Sequence, residues 1–150
     1  MIALIQRVST ATVTIDENSV GEIGAGLLIF LGVFEEDTEK EVDFLANKIT
    51  GFRIFHDEHG KMNRSILDIG GSALVVSQFT LCGDWRKGRR PSFVRAASPE
   101  KGEYLYNEFI SQLKSKSIPV ESGVFGAMMD VHLINDGPVT FVLDTHQVKF

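Results

Sequence analysis

Cysteine, proline and long apolar runs are scarce in this sequence. The single cysteine, Cys82, excludes an internal disulfide and any zinc site built from several cysteines. The longest nearly uncharged apolar run, Ile23 to Phe34, is far too short to span a bilayer. The opening residues MIALIQRVSTATV lack the apolar core and the small-residue cleavage site of a secretory signal. We therefore expect a cytoplasmic protein that does not associate with membranes.

Positive charge is also in the minority, and it is unevenly placed. The 150 residues include 15 lysines and arginines against 20 acidic residues, a net charge of −5, which argues against non-specific binding of nucleic acid over the whole surface. The segment from Asp84 to Ala97 is an exception, because it is strongly basic. Its candidates for phosphate contacts, on charge grounds only, are Arg86, Lys87, Arg89 and Arg90. Trp85 and Phe93 could stack there on bases or on arginine, although a solvated charged loop explains the same composition.

The spacing of apolar residues predicts about seven strands and two helices of roughly 15 residues in one domain, residues 1–150. The run Leu27 to Leu31 is typical of a strand buried on both faces, and Gly71 to Leu81 predicts another strong strand. Helices are predicted from Thr38, which forms a capping box with Glu41, and from Ser98 with Pro99 at the first turn. Strands and helices do not alternate regularly. The prediction is therefore a mixed α+β fold with a sheet that curls into a compact barrel.

The stretch SQFTL places Ser77, Gln78 and Thr80 at the end of a predicted strand, before a long loop. On a continuing strand, Gln78 and Thr80 would share one face. A hydroxyl nucleophile also needs a base, and none of the four histidines lies in a recognisable triad motif. On composition alone, ordinary solvent-facing polar residues are the favoured explanation of this stretch. The HDEH segment, residues 56–59, reads as a polar turn rather than a metal site.

The stretch NDGPVTF puts a Gly-Pro step, Gly137 and Pro138, between the two strands predicted to end the chain. One interpretation is a plain tight turn. The other is a rigid wall of backbone carbonyl groups, which could bind an ammonium group and exclude a bulky substituent. On the residues alone, the plain tight turn is the favoured interpretation.

Together these segments resemble the D-aminoacyl-tRNA deacylases, also called D-tyrosyl-tRNA deacylases. The resemblance runs from MIALIQRV and GEIGAGLL through GKMN, GGSALVVSQFTL and RPSF to NDGPVTF, and so covers essentially the whole chain. It implies a barrel-like homodimer that hydrolyses the ester between a D-amino acid and the 3′ end of tRNA, as a proofreading step for translation. It implies no metal and no organic cofactor.

The resemblance also implies a set of site residues. A Gly-cisPro step, here Gly137 and Pro138, would enter the active site of the partner subunit and face the SQFT segment. The catalytic residues implied are Ser77, Gln78, Phe79 and Thr80. Arg7 matches an arginine that steadies the step, and Phe125 and Met129 match positions that line the pocket. Met128 departs from the family pattern, and the loop after Cys82 is variable, so its tRNA contacts cannot be carried over.

We expect this step to reject L-amino acids, whose side chains would meet the backbone wall, and to let glycine pass. Two routes to hydrolysis remain open at this point. Thr80 could attack the ester carbonyl, or the free 2′-hydroxyl of the terminal adenosine could assist a water molecule. Backbone N–H groups near Phe79 and Thr80 would hold the oxyanion in the second route. The alternatives in function are a catalytically inert barrel that binds tRNA ends and a hydrolase of small D-amino acid esters.

Overall fold

The computed structural model describes residues 1–149, which form eight strands, two α-helices and two short 3₁₀ turns. The strands are β1 (Ile2–Ile15), β2 (Asn18–Ile23), β3 (Gly26–Gly32), β4 (Phe55–His56), β5 (Met62–Arg64), β6 (Ser72–Ser77), β7 (Val120–Ser122) and β8 (Asp130–Asp144). The helices are α1 (Glu39–Thr50) and α2 (Pro99–Ser115), and the 3₁₀ turns are Phe79–Cys82 and Thr145–Gln147. No helix within residues 1–149 has the length and apolar composition that a membrane-spanning helix needs.

Both helices begin where the sequence predicts. The Thr38 side chain accepts from the backbone of α1, and the Glu41 carboxylate accepts from the Thr38 N–H at 2.7 Å, which completes the capping box. Ser98 caps α2, and Pro99 occupies its first turn. Both caps involve only residues that are close together in the sequence, and they determine the residue at which each helix begins.

The strand predicted over Gly71–Leu81 is wrong at its C-terminal end. β6 stops at Ser77, and after Gln78 the four residues Phe79–Cys82 coil into a 3₁₀ turn. The N–H of Gln78 still donates to the Leu31 carbonyl at 2.8 Å, but the neighbouring strand β3 ends at Gly32, so little further ladder is available. Gln78, Phe79 and Thr80 are therefore presented on a turn rather than on alternating faces of a strand.

The last two predicted strands are one continuous strand, β8, and the prediction of a turn between them is wrong. β8 pairs with β1 on both sides of the Gly-Pro step: Thr140 lies opposite Gln6, and Asn135 lies opposite Val8. Four residues of β8, 136–139, therefore stand against Arg7 alone. The extra residues of β8 form a bulge outside the ladder of hydrogen bonds, and pairing with β1 continues on both sides of it.

The main sheet is mixed and nearly closes on itself. β1 pairs with β8 along one edge and with β2 and β3 along the other, all antiparallel, whereas β6 pairs in parallel with β3 and β7. β2 folds back towards β7 so closely that a Cβ atom at Gly21 would lie 2.8 Å from the Ser122 carbonyl oxygen. The predicted fold, a mixed α+β protein with a barrel-like sheet and two main helices, is confirmed.

The apolar run of β3 separates two cores. Leu27, Ile29 and Leu31 face α1 and α2, whereas Leu28 and Phe30 face the inside of the barrel. This confirms a strand buried on both faces, as expected for a strand with a helix layer on one side and curled sheet on the other. The barrel interior opens at the ends of β3 and β6, where the SQFT segment begins.

Candidate active site

A cavity of about 640 Å³ lies at the open end of the barrel. Its walls come from the ends of β3 and β6, the 3₁₀ turn that follows β6, the start of α2, and the segment that leads into β8. The lining residues that the following paragraphs use are Ser77, Gln78, Phe79, Thr80, Tyr106, Phe125 and Met129. The structure thus brings together all four residues of the SQFT segment and the two residues expected to line the pocket.

The 3₁₀ turn gives this cavity its polar groups. Gln78 Nε2 donates to the hydroxyl oxygen of Thr80, which fixes both side chains at the start of the turn. Gln78 does not cap the turn with its side chain, so the N–H groups of Phe79 and Thr80 have no partner within the turn. Phe79 and Thr80 both line the cavity, so two backbone donors without a partner in the turn belong to its wall.

The opposite wall is apolar and closely packed. The rings of Tyr106 and Phe125 lie 5.8 Å apart, and the Tyr106 hydroxyl donates to the Val75 carbonyl at 2.9 Å. A Cβ atom at Gly102 would lie 3.3 Å from the Phe125 ring. Met129 packs on the barrel core, whereas Met128 is 91 % exposed. Substitution at Met128 therefore changes the mouth of the cavity rather than its wall.

The cavity carries no charged side chain among the lining residues that the structure describes. Histidine, aspartate, glutamate, lysine and arginine are all absent from that set. Tyr106 is the titratable group in it, and burial raises the pKa of its hydroxyl to about 12, so it remains neutral. Thr80 consequently has no side-chain base beside it in this part of the molecule. Any proton transfer at this site has to use a water, the backbone or the ligand.

The Gly-Pro step lies in the exposed part of the bulge of β8, and side-chain hydrogen bonds hold the base of that bulge. Gly137 and Pro138 are exposed and joined by a cis peptide bond. The Asn135 amide donates to the carbonyls of Arg7 and Val139 at 2.9 Å each, which closes the base of the bulge. Gly137 has a φ of 129°, and a Cβ atom there would lie 3.0 Å from a guanidinium nitrogen of Arg7. Another residue would therefore strain this position.

Arg7 is the buried anchor of the bulge. Its side chain is 2 % exposed, and it donates to the Ile54 carbonyl at 2.8 Å and to the Asp136 carbonyl at 3.2 Å. Its Nε also lies 3.1 Å from the Asp136 carboxylate. Arg7 thus ties the bulge of β8 to the segment after α1. The position expected to steady the step does contact it, through the residue that precedes Gly137.

Within one chain, the step and the cavity are far apart. Arg7 pairs with Leu27 on β3, whereas Ser77 pairs with Leu31 at the other end of that strand. Four residues of strand separate these levels by roughly 13 Å along the strand direction alone. None of residues 135–140 lines the cavity among the residues described. A chain on its own therefore cannot bring its Gly-Pro step to its SQFT segment.

The basic loop is closed at its base by a bridge between Asp84 and Ser92, with reciprocal backbone hydrogen bonds of 2.8 and 2.9 Å. Arg86 contacts the Asp84 carboxylate through two nitrogens, which lowers the pKa of that carboxyl. The other three candidates for phosphate contacts are exposed and have no ion-pair partner among residues 1–149: Lys87, Arg89 and Arg90. Arg86 is the least available of the four.

Sequence reasoning missed two residues that shape these features. Tyr106 belongs to the buried stripe of α2, beside Leu105 and Phe109, so its helical spacing indicated a core residue and gave no sign of a cavity. Asn135 reads as part of a turn in NDGP, although its amide closes the bulge. Neither residue carries a motif of its own. Both act through the partners that the fold brings to them.

Solved structures of similar fold cover nearly the whole chain. One, named c-Myc DNA Unwinding Element Binding Protein, has a TM-score of 0.91 and 42 % sequence identity, and the match covers 96 % of this chain and 98 % of that one. Another, described as a probable eukaryotic D-amino acid tRNA deacylase, has a TM-score of 0.80 at 17 % identity, with 95 % and 97 % coverage. The second likeness shows the fold alone.

Sequence comparison gives the family. The model of the D-Tyr-tRNA(Tyr) deacylase family matches residues 4–144. D-aminoacyl-tRNA deacylases of Thermotoga petrophila and Chloroflexus aurantiacus are 55 % and 57 % identical to this chain, and each match covers 99 % of it and 99 % or 93 % of the relative. The chain belongs to the D-Tyr-tRNA(Tyr) deacylase family, as its sequence motifs predict, and is a hydrolase.

Cys82 is the last residue of the 3₁₀ turn, and its thiol gives a test of the site's chemistry. It is 4 % exposed, its thiol contacts the Val33 carbonyl at 3.4 Å, and burial raises the thiol pKa to about 11. Almost no thiolate exists at pH 8, so we expect iodoacetamide to label the native protein slowly and to leave hydrolysis unchanged. Mass spectrometry of native and urea-unfolded samples checks the labelling. Rapid native labelling with loss of activity would contradict this prediction.

Proposed function

We propose that this protein hydrolyses the ester that joins a D-amino acid to the 3′ end of tRNA, and so removes D-residues before translation. The observation that carries the proposal is the uncharged cavity with the SQFT turn at its edge, in a chain of this family. The aminoacyl group binds in the cavity, and the N–H groups of Phe79 and Thr80 donate to the ester carbonyl oxygen. The products are the free amino acid and tRNA.

Hydrolysis proceeds by attack of water on the ester carbonyl carbon. The carbon–oxygen bond to the terminal ribose breaks, and a proton from the water passes to the departing 3′ oxygen. The N–H groups of Phe79 and Thr80 stabilise the oxyanion that forms, and one such donor contributes roughly 2.7–4 kcal/mol. Because the cavity wall has no side-chain base, we assign the orientation of water to the neighbouring 2′-hydroxyl of the substrate. Thr80, held by Gln78, positions the ester.

Selection of the D-enantiomer is assigned to the Gly-Pro step of a second copy of the chain. The step is exposed and anchored by Arg7, and it is too far from its own cavity to act there. Inserted into a neighbour's cavity, its carbonyl groups contact the α-ammonium group and leave no space for an L side chain. Glycine has no side chain to reject, so glycyl-tRNA is a substrate as well.

The outer edge of β8 supports pairing of two copies. β8 has 15 residues and pairs only with β1 within residues 1–149, so its second edge is unpaired. Ile134 and Val142 are 60 % and 56 % exposed on the two sides of the step. A long unpaired strand with apolar side chains is a typical site of association. The homodimer proposed here covers that edge and carries the step into the partner.

The substrate panel tests the activity itself. Purified protein is incubated with D-Tyr-tRNA, L-Tyr-tRNA, Gly-tRNA and free D-Tyr methyl ester, and release of the amino acid is followed. We expect hydrolysis of the first and third substrates only, because rejection depends on the α-substituent and productive binding depends on the tRNA end. Binding of tRNA without turnover would support an inert tRNA-end-binding barrel. Turnover of the methyl ester alone would support a small-ester hydrolase.

The chemical route is tested by paired changes in enzyme and substrate. We expect Thr80→Ala to keep measurable hydrolysis, and hydrolysis of a D-Tyr-tRNA that ends in 2′-deoxyadenosine to fall much further, to what oxyanion stabilisation alone supports. The reason is that the 2′-hydroxyl orients the water, whereas Thr80 only positions the ester. Single-turnover rates measure both. Background hydrolysis by Thr80→Ala, with normal fold and tRNA binding, together with full activity on the deoxy substrate, would instead identify Thr80 as the nucleophile.

Complementation tests insertion across subunits. Gly137→Val disrupts the step, and Ala127→Trp fills the cavity, so each variant alone should be inactive. Coexpression with two different affinity tags isolates mixed dimers, in which one site combines an intact step with an intact cavity. Random pairing should restore about a quarter of wild-type activity to the unfractionated mixture. Inactive mixed dimers that have the native fold would contradict the exchange of the step between subunits.

A further inference from the structure

Trp85 carries an exposed indole that takes no part in the proposed hydrolysis. It is 80 % exposed and follows directly after Asp84, the residue whose bridge to Ser92 closes the base of the basic loop. Burial of a tryptophan side chain on folding is favourable, so an indole held in solvent at the base of a closed loop calls for a partner. Its neighbours along the loop, Lys87 and Arg89, are cationic and unpaired within residues 1–149.

The base of the loop is close to the cavity along the chain. Trp85 is five residues after Thr80, so the two Cα atoms are at most about 18 Å apart. Two further aromatic rings belong to this region: Phe79, which lines the cavity, is 59 % exposed, and its ring centroid is 5.0 Å from that of Phe93, the residue after Ser92. A strand of nucleic acid whose end lies in the cavity is therefore within a few nucleotides of Trp85 and the cations of the loop.

We propose that Trp85 is a stacking site for an unpaired base of the substrate's 3′ tail, upstream of the nucleotide that carries the amino acid. This inference rests on the proposed function, because it assumes that the aminoacyl end lies in the cavity. An exposed ring beside free cations is the combination that binds single-stranded nucleic acid, in which bases stack on aromatic side chains while the backbone follows positive charge. The partner is thus a single-stranded RNA segment rather than an apolar protein surface.

The single tryptophan makes the site directly observable. Intact, uncharged tRNA should quench the Trp85 fluorescence in a saturable manner, whereas the same tRNA trimmed of its unpaired 3′ nucleotides should not. Iodide should quench the free protein readily. Equal quenching by both tRNAs would overturn the proposal, since paired-stem phosphates would then suffice. Shielding from iodide in the free protein would also overturn it, because Trp85 would then be covered by another copy of the chain.

Kinetics separate this site from the cavity. We expect Trp85→Ala to lower kcat/KM for D-Tyr-tRNA about tenfold and to leave hydrolysis of 3′-D-tyrosyl-adenosine unchanged, because that substrate lacks the upstream bases. Trp85→Phe should recover most of the loss. The salt dependence of tRNA binding should keep its slope in Trp85→Ala, since no phosphate contact is removed.

Tyr104→Ala is the matched control, because Tyr104 is an exposed aromatic residue on α2, at 52 %, outside the basic loop and the cavity lining. It should leave the kinetics of both substrates unchanged. Wild-type protein that hydrolyses neither substrate would refute the proposed function itself. Wild-type activity together with a Trp85→Ala variant that is normal on both substrates would refute only the stacking site.

Discussion

The rest of this structure depends on a mismatch between β1 and β8: more residues of β8 lie opposite Arg7 than regular pairing allows. One residue of β1 faces four of β8, so the surplus has to leave the ladder while pairing continues on both sides. Asn135 closes the base of the surplus, and Arg7 ties it to the Ile54 carbonyl. The Gly-Pro step thus stands on a strand rather than on a loose loop. Rigid support of this kind is what a group needs if it is to exclude a substrate by shape.

The position of that bulge also determines what a single chain cannot do. The step is at one end of the sheet and the cavity is at the other, because β3 aligns Arg7 with Leu27 and Ser77 with Leu31. A site that uses both elements then requires two copies. The unpaired edge of β8 lies beside the step, so the same strand that carries the proposed selector also carries the surface available for association.

The cavity itself is suited to positioning rather than to acid–base chemistry by side chains. Its lining residues among those described are uncharged, and burial keeps Tyr106 neutral. Two backbone N–H groups are its fixed electrostatic feature, and they are present because a 3₁₀ turn begins where β6 ends. An aminoacyl ester is already reactive towards water. In the function proposed above, oxyanion stabilisation and orientation of the 2′-hydroxyl are the contributions assigned to the protein.

The sequence predicts those parts of the molecule that depend on local pattern. The capping box at Thr38, the cap at Ser98 and the doubly buried strand at Leu27–Leu31 follow from neighbouring residues, and all three are observed. The end of β6 and the continuity of β8 do not follow, because they depend on where β3 stops and on pairing with β1. Gly137 and Pro138 read as a turn for that reason. The site residues are predicted from family resemblance, since composition gives Thr80 no partner.

Discrimination by main chain, as proposed above, would let a small site serve many substrates. A pocket that recognises a side chain gains only about 1–3 kcal/mol for each extra methylene group, and it accepts one size of side chain best. A backbone wall beside the α-carbon acts on the one feature that distinguishes all L-amino acids from their mirror images. Gly137 can form this wall because it has no Cβ atom of its own, and a Cβ there would meet Arg7 at 3.0 Å. The side chain of a D-amino acid then points away from the wall, and its size matters little.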